Sequence, residues 1–313
     1  MIKRKALWEP ARTAVVLAVI LLVASVCLFS CVPAHDRQRN AGNDGSSGKA
    51  PRGEKPELKV FFIDVGQGDA CFIVASGGGD GKEFTLLVDA GPAVAAGKVV
   101  ELLKQSGVKR IDYVVFTHPH EDHIGGGKAV LDAFEAGEIY MPRTSHSTAM
   151  YEELLRTIRS KGLSINEARA GKVILDVMLD GTRVKVEFLG PARSYDNLND
   201  CSAVISVTFG ERVFLLMGDA EEEAERDMIK RGVIPHADVL KVGHHGGSTS
   251  TTEEFLEVSQ PSIAVISVGQ NPYGHPSPSV VKRLETAGAK VYTTLNGTVE
   301  VAVTGDQLSV LSR

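Results

Sequence analysis

The sequence contains little cysteine, which limits how cross-links could stabilise the protein. There are four cysteines in 313 residues, and two of them, Cys27 and Cys31, lie near the N-terminus. The other two, Cys71 and Cys201, could pair in an oxidising compartment or remain as buried free thiols. The sequence leaves both alternatives open.

The sequence also lacks an excess of positive charge. It has 39 acidic against 34 basic residues, for a formal net charge of −5, and four of the basic residues lie at positions 3–12. The remainder of the chain is therefore more acidic still. Such a surface argues against non-specific attachment to nucleic acid through bulk charge, but it is compatible with a local basic groove or a cationic metal site.

Two further features are missing. Neither the GQG at residues 66–68 nor the SGGGDG at residues 76–81 matches the GxxxxGK[ST] pattern of a phosphate-binding loop. There is also no internal repeat of fixed period. The sequence therefore does not indicate a P-loop nucleotide-binding protein or a solenoid.

The N-terminal 31 residues predict an export signal. Basic residues precede a stretch at 14–30 without any charged side chain, and Cys31 follows it. The LFSC at 28–31 resembles a bacterial lipoprotein cleavage box, which implies cleavage before Cys31 and a lipid on its sulfur. The alternatives are an uncleaved membrane anchor, since the stretch is near the short limit of a spanning helix, or neither. The first two alternatives place the body outside the cytoplasm, attached to the membrane.

Residues 32–56 predict a flexible linker, and residues 57–313 a single domain. Glycine, serine, proline and charged residues dominate 40–56, with almost no apolar side chains. The domain begins with predicted strands at 58–65 and 84–91, joined through a hairpin-like loop. Later segments alternate between strands and helices. This succession predicts a layered α/β protein.

The THPHEDHIGG at residues 117–126 carries ligand-type side chains in the pattern H-x-H-x-D-H. It follows a predicted strand, where α/β proteins place their sites. His118 and His120 can converge on one cation, and Asp122 and His123 on a second. Imidazole and carboxylate suit zinc, iron or manganese. The alternative is a solvated histidine-rich loop, which four such residues in one pattern do not favour.

Two cations need further ligands from elsewhere in the chain. Asp219 follows a predicted strand and precedes a predicted helix, so it could bridge both cations or cap the helix. His244 and His245 also follow a predicted strand. Adjacent side chains of an extended chain point in different directions, so we expect one of the two histidines to be a ligand.

Together these motifs resemble the metallo-β-lactamase superfamily. More narrowly, DVGQGDA, LLVDAG, GDAEEEAE, LKVGHHGGSTSTT and SVGQNPYGHPSP resemble the hydrolase domain of the ComEC-type DNA-uptake competence proteins. The resemblance extends from about Leu58 to the C-terminus. No segment resembles the multi-span DNA channel of that family. We therefore expect a stand-alone hydrolase domain, with any DNA channel supplied by a separate partner protein.

The resemblance implies a four-layer αββα sandwich with two divalent cations, zinc first and manganese or iron as alternatives. It further implies the role of each site residue: His118 and His120 bind the first cation, Asp122 and His123 the second, Asp219 bridges them, His245 completes the second set with His244 in reserve, and Asp89 orients the loop.

One ligand of the superfamily pattern is missing. The first cation usually has a third histidine between the main motif and the bridging aspartate, but His146 is the only histidine in that interval and lies too early. Asn199, Asp200 or water are the alternatives for this position.

The function that follows is an exported, metal-dependent hydrolase in which the cations activate water. Asp122 would help position the nucleophile. His275 would donate a proton to the leaving group or bind a phosphate oxygen, unless it is only a turn histidine. We expect a phosphodiesterase or nuclease linked to DNA uptake or processing. The alternatives are a hydrolase of a lactam, lactone, thioester or small phosphoester, a non-catalytic surface binding module, and an oxidoreductase.

Overall fold

The first strand buries every second side chain, as expected for a strand with one face on a core. In β1 (Glu57–Phe62) the buried residues are Leu58, Val60 and Phe62, each with 0% of its surface exposed. The computed structural model describes residues 55–79 and 81–312. The predicted export signal and nearly all of the predicted linker lie outside these residues. Residues 51–313 form one compact unit.

Two sheets are present in the described part of the chain. The first has the strand order β15-β14-β1-β2-β3-β4-β5-β6. Its other strands are β2 (Cys71–Ser76), β3 (Glu83–Val88), β4 (Arg110–Val115), β5 (Glu135–Met141), β6 (Ile165–Glu167), β14 (Val299–Thr304) and β15 (Gln307–Ser312). The second sheet has the order β13-β12-β11-β10-β9-β8-β7. Its strands are β7 (Val173–Leu179), β8 (Thr182–Gly190), β9 (Val204–Phe209), β10 (Arg212–Leu216), β11 (Val239–Lys241), β12 (Ile263–Ile266) and β13 (Lys290–Thr293).

Helices cover the outer faces of both sheets. They are α1 (Ala96–Gln105), α2 (Glu121–Ile124), α3 (Gly127–Ala133), α4 (Ala149–Ser160), α5 (Glu222–Arg231), α6 (Glu253–Ser259) and α7 (Pro278–Thr286), with short 3₁₀ turns at Ala93–Ala95, Gly243–Gly246 and Thr294–Asn296. Helices α1, α3 and α4 pack on the first sheet, and α5, α6 and α7 on the second. None of the helices in the described ranges combines the length and apolar content of a membrane span.

The inner faces of the two sheets form the central core. Val60 and Leu86 of the first sheet and Val186 and Phe214 of the second are fully buried in one apolar cluster. The layers are therefore helix, sheet, sheet and helix, and the predicted α/β sandwich of four layers is confirmed. Cys71 and Cys201 are both buried free thiols.

Some elements differ from the sequence prediction. Strand β2 lies between the strands predicted at 58–65 and 84–91, so the glycine-rich loop joins β2 to β3 and does not join those two strands directly. Strand β7 was also missed. Most of its residues are exposed or only partly buried, because β7 is an edge strand of its sheet. An edge strand of this kind lacks the clean alternation that marks a half-buried strand in a sequence.

The order of the strands determines where the motifs lie. Strands β3, β4 and β5 run parallel in the first sheet, and β10, β11 and β12 run parallel in the second. The residues that follow β3, β4, β10 and β11 carry the predicted ligands. Loops at the carboxyl ends of parallel strands share an edge, so the sheet topology brings these motifs to one place.

We expect Phe188→Ala to destabilise the protein by about 3–5 kcal/mol, because it leaves a cavity in the core between the sheets. Phe188 is 1% exposed, and its ring lies 5.6 Å from that of Tyr140 in the other sheet. Equilibrium unfolding in guanidinium chloride measures the change. As a control, Val177→Ala on the partly exposed β7 should change the free energy of unfolding by less than about 0.5 kcal/mol. Equal effects of the two substitutions would contradict the assignment of this core.

Candidate metal centre

The main motif forms a sharp loop after β4, and Asp89 after β3 holds it in place. Asp89 Oδ1 accepts a hydrogen bond from the Thr117 backbone N at 2.7 Å, and its Oδ2 accepts one from the Thr117 hydroxyl at 2.6 Å. The same Oδ2 lies 2.8 Å from Nδ1 of His123. The ring of His123 is thereby oriented with its Nε2 free. Asp89 itself has a φ of 59°, a strained conformation for a residue other than glycine.

Four side chains define a position for one cation. Ligand atoms of Asp122, His123, Asp219 and His245 all lie within 4.8 Å of one another. Asp219 Oδ2 is 3.2 Å from His123 Nε2 and 3.4 Å from His245 Nε2, and the latter is 3.2 Å from Asp122 Oδ2. A tetrahedral zinc ion with ligands at about 2.0–2.1 Å would separate them by roughly 3.3 Å. The observed separations match that value.

His118 and His120 form a second group near Asp219. His118 Nε2 is 2.9 Å from His120 Nδ1 and 3.7 Å from Asp219 Oδ2. His118 is fully buried, whereas His120 is partly buried. The same carboxylate oxygen of Asp219 therefore faces both groups of histidines, which is the geometry of a bridging ligand.

Unpaired polar atoms support the fit of cations to these residues. His123 Nε2, His245 Nε2 and Asp219 Oδ1 are buried and have no hydrogen-bond partner. Leaving buried polar atoms unpaired costs free energy, so folded proteins usually satisfy them. Imidazole nitrogen and carboxylate oxygen are both ligands of zinc and of related transition metals. The residues present fit two divalent cations.

Without cations, protons compensate the buried carboxylates. Burial would lower the pKa of His123, but Asp219 and a second carboxylate raise it well above its ordinary value. The pKa of His245 is raised in the same way, against burial, by Asp219 and Asp69. Burial and the neighbouring His123 lower the pKa of His118 well below its ordinary value. Bound cations would take the place of the imidazolium charges, so metal binding releases protons.

His245 enters the cluster and His244 does not. Nδ1 of His244 is 2.8 Å from Oε1 of Glu221 and 3.3 Å from the hydroxyl of Thr249. The prediction that the two histidines lie in extended chain was wrong. They have φ values of 46° and 53°, in a left-handed turn where His244 N donates to the carbonyl of Gly218. This turn still directs the two rings to different places.

The alternatives for the missing first-cation ligand lie in different surroundings. Asp200 accepts hydrogen bonds at Oδ1 from the backbone N of Glu221 and Ala224, both at 3.0 Å, so its carboxylate caps α5. Helix capping was the alternative considered for Asp219, but Asp200 caps the helix and the Asp219 carboxylate does not. Asn199 donates to Oε1 of Glu221 at 2.7 Å, while its Oδ1 is buried without a partner.

Ser202 and His146 lie beside the group of His118 and His120; the sequence did not indicate Ser202, and His146 had been set aside as too early in the chain. Ser202 Oγ lies 3.4 Å from His118 Nδ1 and accepts a hydrogen bond from the Asp219 backbone N at 3.1 Å. The ring of His146 lies 5.9 Å from that of His120. The loop after β5 bends back over the site, which brings His146 there in spite of its early place in the sequence.

Sequence reasoning also missed a buried lysine below the metal centre. Lys241 Nζ forms an ion pair with Asp69 Oδ2 and donates to the carbonyl of Gly218 at 2.9 Å, with 4% of its side chain exposed. Asp69 Oδ1 in turn lies 3.5 Å from Nδ1 of His245. Lys241 therefore connects the residue before Asp219 to the carboxylate beside His245. A lysine within the otherwise apolar strand β11 is the signal that could have indicated it.

His275 lies at the rim of the site. Its ring is 5.1 Å from that of His244 and 6.5 Å from that of His245. Burial and the neighbouring His244 and His245 lower its pKa from the ordinary value. The side chain of Asp122 also reaches the rim and is 35% exposed. Both residues predicted to act on the substrate are thus accessible from one side of the cluster.

Two packed sheets between helices, with clustered histidine and aspartate ligands at the strand ends, define a metal-binding α/β hydrolase. The family model of the metallo-beta-lactamase superfamily matches residues 63–270, and the chain belongs to this superfamily. The family resemblance stated from the sequence motifs is confirmed.

Three curated relatives share about a third of their aligned residues with this chain. ComE operon protein 3 of Bacillus subtilis is 31% identical over 264 residues, which cover 78% of this chain and 33% of that protein. Recombination protein 2 of Haemophilus influenzae is 33% identical over 263 residues, covering 82% of this chain and 30% of the relative. Competence protein ComA of Neisseria gonorrhoeae is 32% identical over 249 residues, covering 78% and 32%. The chain spans about a third of the length of these relatives.

We expect His245→Ala to lose a cation and His244→Ala to retain both. His245 Nε2 faces Asp122 and Asp219, whereas His244 is held by Glu221. Zinc bound per full-length chain, measured by elemental analysis after dialysis, should fall by about one ion in the first variant only. The reverse pattern would show that the left-handed turn presents the other histidine.

We expect Lys241→Met to weaken zinc binding by about 10–100-fold, as loss of a residue that supports the ligands does. Removing the lysine ammonium also leaves the buried Asp69 carboxylate unpaired. The double variant Asp69→Asn with Lys241→Met therefore separates loss of positioning from loss of folding. Competition with a chromophoric chelator measures zinc affinity, and circular dichroism checks folding. Lys282→Met on the exposed face of α7 is the control. Unchanged affinity in folded Lys241→Met would contradict the supporting role.

Proposed function

We propose that this chain is an exported, membrane-attached phosphodiesterase that uses two divalent cations, zinc in the first place, to cleave nucleic acid. The observation that carries the proposal is the position of Asp219 Oδ2, which lies within 3.7 Å of nitrogens of His118, His123 and His245. A pair of adjacent cations suits an in-line displacement at a phosphodiester, where charge develops on both the attacking and the leaving oxygen.

When bound, such cations act as Lewis acids and lower the pKa of coordinated water into the neutral range. The side chains provide the rest of the chemistry. Asp89 Oδ2 orients the ring of His123 through its Nδ1 at 2.8 Å, and the carbonyl of Ser267 orients the ring of His245 through its Nδ1 at 2.9 Å, with Asp69 Oδ1 at 3.5 Å from the same nitrogen. The carboxylate of Asp122 is charged near neutral pH, since His245 and His123 lower its pKa in spite of burial. It can accept a hydrogen bond from the attacking water and so orient it.

His275 has two proposed roles on the substrate side. Its lowered pKa leaves the ring neutral near pH 7, and a neutral imidazole still donates one hydrogen bond. Its Nδ1 is buried without a hydrogen-bond partner. Binding of a phosphate oxygen therefore agrees with its surroundings better than proton donation to the leaving group.

The choice of nucleic acid as substrate rests on the names of the relatives, which are competence and recombination proteins. Location at the outer face of the membrane rests on the basic and apolar N-terminal segment with Cys31. A separate channel protein is the partner that this arrangement would need. The acidic composition agrees with a substrate that is bound by cations at the site, since bulk charge would not attract it.

The test uses the full-length chain purified without added metal. We expect about two ions per chain by elemental analysis, with cleavage of bis(p-nitrophenyl) phosphate and single-stranded DNA in Zn²⁺ or Mn²⁺. Asp219→Ala should remove both ions and reduce cleavage more than about 100-fold, because the shared ligand is lost. Asp306→Ala, in the exposed turn between β14 and β15, is the matched control.

Two outcomes would contradict parts of this proposal separately. Two bound ions without cleavage of either diester would leave the metal centre standing and point to another metallohydrolase substrate, such as a lactone or thioester. Absence of both ions and turnover would instead indicate a non-catalytic binding module. Retained turnover in Asp219→Ala would overturn the bridging role.

A further inference from the structure

An exposed tyrosine ring lies beside the metal centre on the loop between β12 and α7. Tyr273 is 71% exposed, while each of the other five tyrosines of the chain is buried or partly buried. A large aromatic side chain gains little from this position in the folded protein alone, because burial of its apolar surface would be more favourable. The exposed ring is therefore available to contact a ligand.

Asparagine 271 holds this loop in one shape. Asn271 Nδ2 donates to the carbonyls of Gly269 and His275, both at 2.8 Å. Asn271 Oδ1 accepts from the backbone N of Tyr273 at 3.0 Å and of His275 at 3.1 Å. One side chain thus satisfies four backbone groups of a short segment. The tyrosine is presented on an ordered backbone, which reduces the entropy lost when a ligand binds to it.

The loop is also fixed against the metal-binding turn. The backbone N of Ser277 donates to the carbonyl of Gly246 at 2.8 Å. Gly246 has a φ of 75°, and a Cβ there would lie 2.9 Å from Cβ of Pro276. The close contact requires glycine at this position. Movement of the loop relative to His245 is therefore restricted.

The distance from Tyr273 to the site is short. Its ring lies 5.8 Å from that of His275, and the ring of His275 lies 6.5 Å from that of His245. One imidazole separates the tyrosine from a cation ligand. A phosphodiester held at the cations would bring the adjoining nucleoside to this rim.

We propose that Tyr273 is a stacking platform for an unpaired nucleobase next to the scissile phosphate, so that the enzyme prefers single-stranded nucleic acid that carries bases. The inference rests on the proposed phosphodiesterase function and adds the recognition element to it. Stacking suits this protein because it needs no basic surface, and each base stacked on an aromatic ring contributes about 1–3 kcal/mol. Every base has a π face, so the preference is independent of sequence.

The experiment compares two single strands of equal length on the full-length chain, one with bases and one in which abasic spacers replace them. The phosphodiester backbone is the same in both. We expect wild type to cleave the base-bearing strand with a KM roughly 5–100-fold lower, from the stacking contribution of one base. Tyr273→Ala should raise the KM for that strand to the value for the abasic strand, with kcat and bound metal unchanged.

Tyr273→Phe is the matched control, since it keeps the aromatic face and should keep the preference for bases. Tyr273→Leu retains apolar surface without a π face and should behave like Tyr273→Ala. If wild type cleaves both strands with the same KM, or if Tyr273→Ala keeps the preference, the stacking role is overturned while the phosphodiesterase function stands. If wild type cleaves neither strand, the proposed function itself fails.

Discussion

Buried carboxylates at the junction of the two sheets are the constraint on which the site depends. Asp69, Asp89 and Asp219 are 4%, 1% and 2% exposed, respectively, and a buried carboxylate is tolerated only when other groups compensate its charge. Lys241 compensates Asp69, and the imidazole of His123 compensates Asp89. The shared oxygen of Asp219 lies near nitrogens of His118, His123 and His245, which are ligand-type atoms. The fold thus balances two of the carboxylates with its own side chains and leaves the third to cations.

The same constraint explains why the site concentrates backbone strain. Asp89, His244 and His245 all have positive φ, which costs about 1–3 kcal/mol for each residue that is not glycine. These turns are short because the side chains must reach one point from the ends of separate strands. Hydrogen bonds from Ala90 to the His123 carbonyl and from His244 to the Gly218 carbonyl tie the turns together. In each sheet the strained turn is thus held by a neighbouring loop of the same sheet.

The parts of the site that the sequence predicted are those whose chemistry is local. His118, His120, Asp122 and His123 lie within six residues, so their types and spacing alone indicate cation binding. The four-layer fold followed from the succession of elements and the family motifs. Strands β5, β6 and β7 were not predicted: β6 has three residues, β7 is an edge strand, and β5 is buried only over its last three residues, so none of them has a clear period. The left-handed turn at His245 was not predicted either, because it depends on packing against the next loop.

The role of Lys241 and the position of His146 depend on contacts distant in the sequence and were not predicted, whereas Asp89, Asp219 and His245 were assigned through the family resemblance. In the sequence, Lys241 is a single basic residue in a predicted strand. Only the fold places it between Asp69 and the Gly218 carbonyl. His146 is brought near His120 by the loop after β5. Such residues belong to no local pattern, since their roles arise where two sheets meet.

The surface around the cations can also be understood from charge. The chain carries a net charge of −5, and Glu221 lies beside the site, held against His244. Phosphodiester oxygens would be repelled by Glu221 and attracted by the cations. Neutral contacts near the cations would then help to orient the rest of the substrate. An aromatic ring on a fixed loop next to His275 meets that need without adding charge, because stacking is insensitive to the sign of the surrounding field. Separating charge attraction from orientation in this way would let an acidic protein act on the anionic polymer that we propose as its substrate.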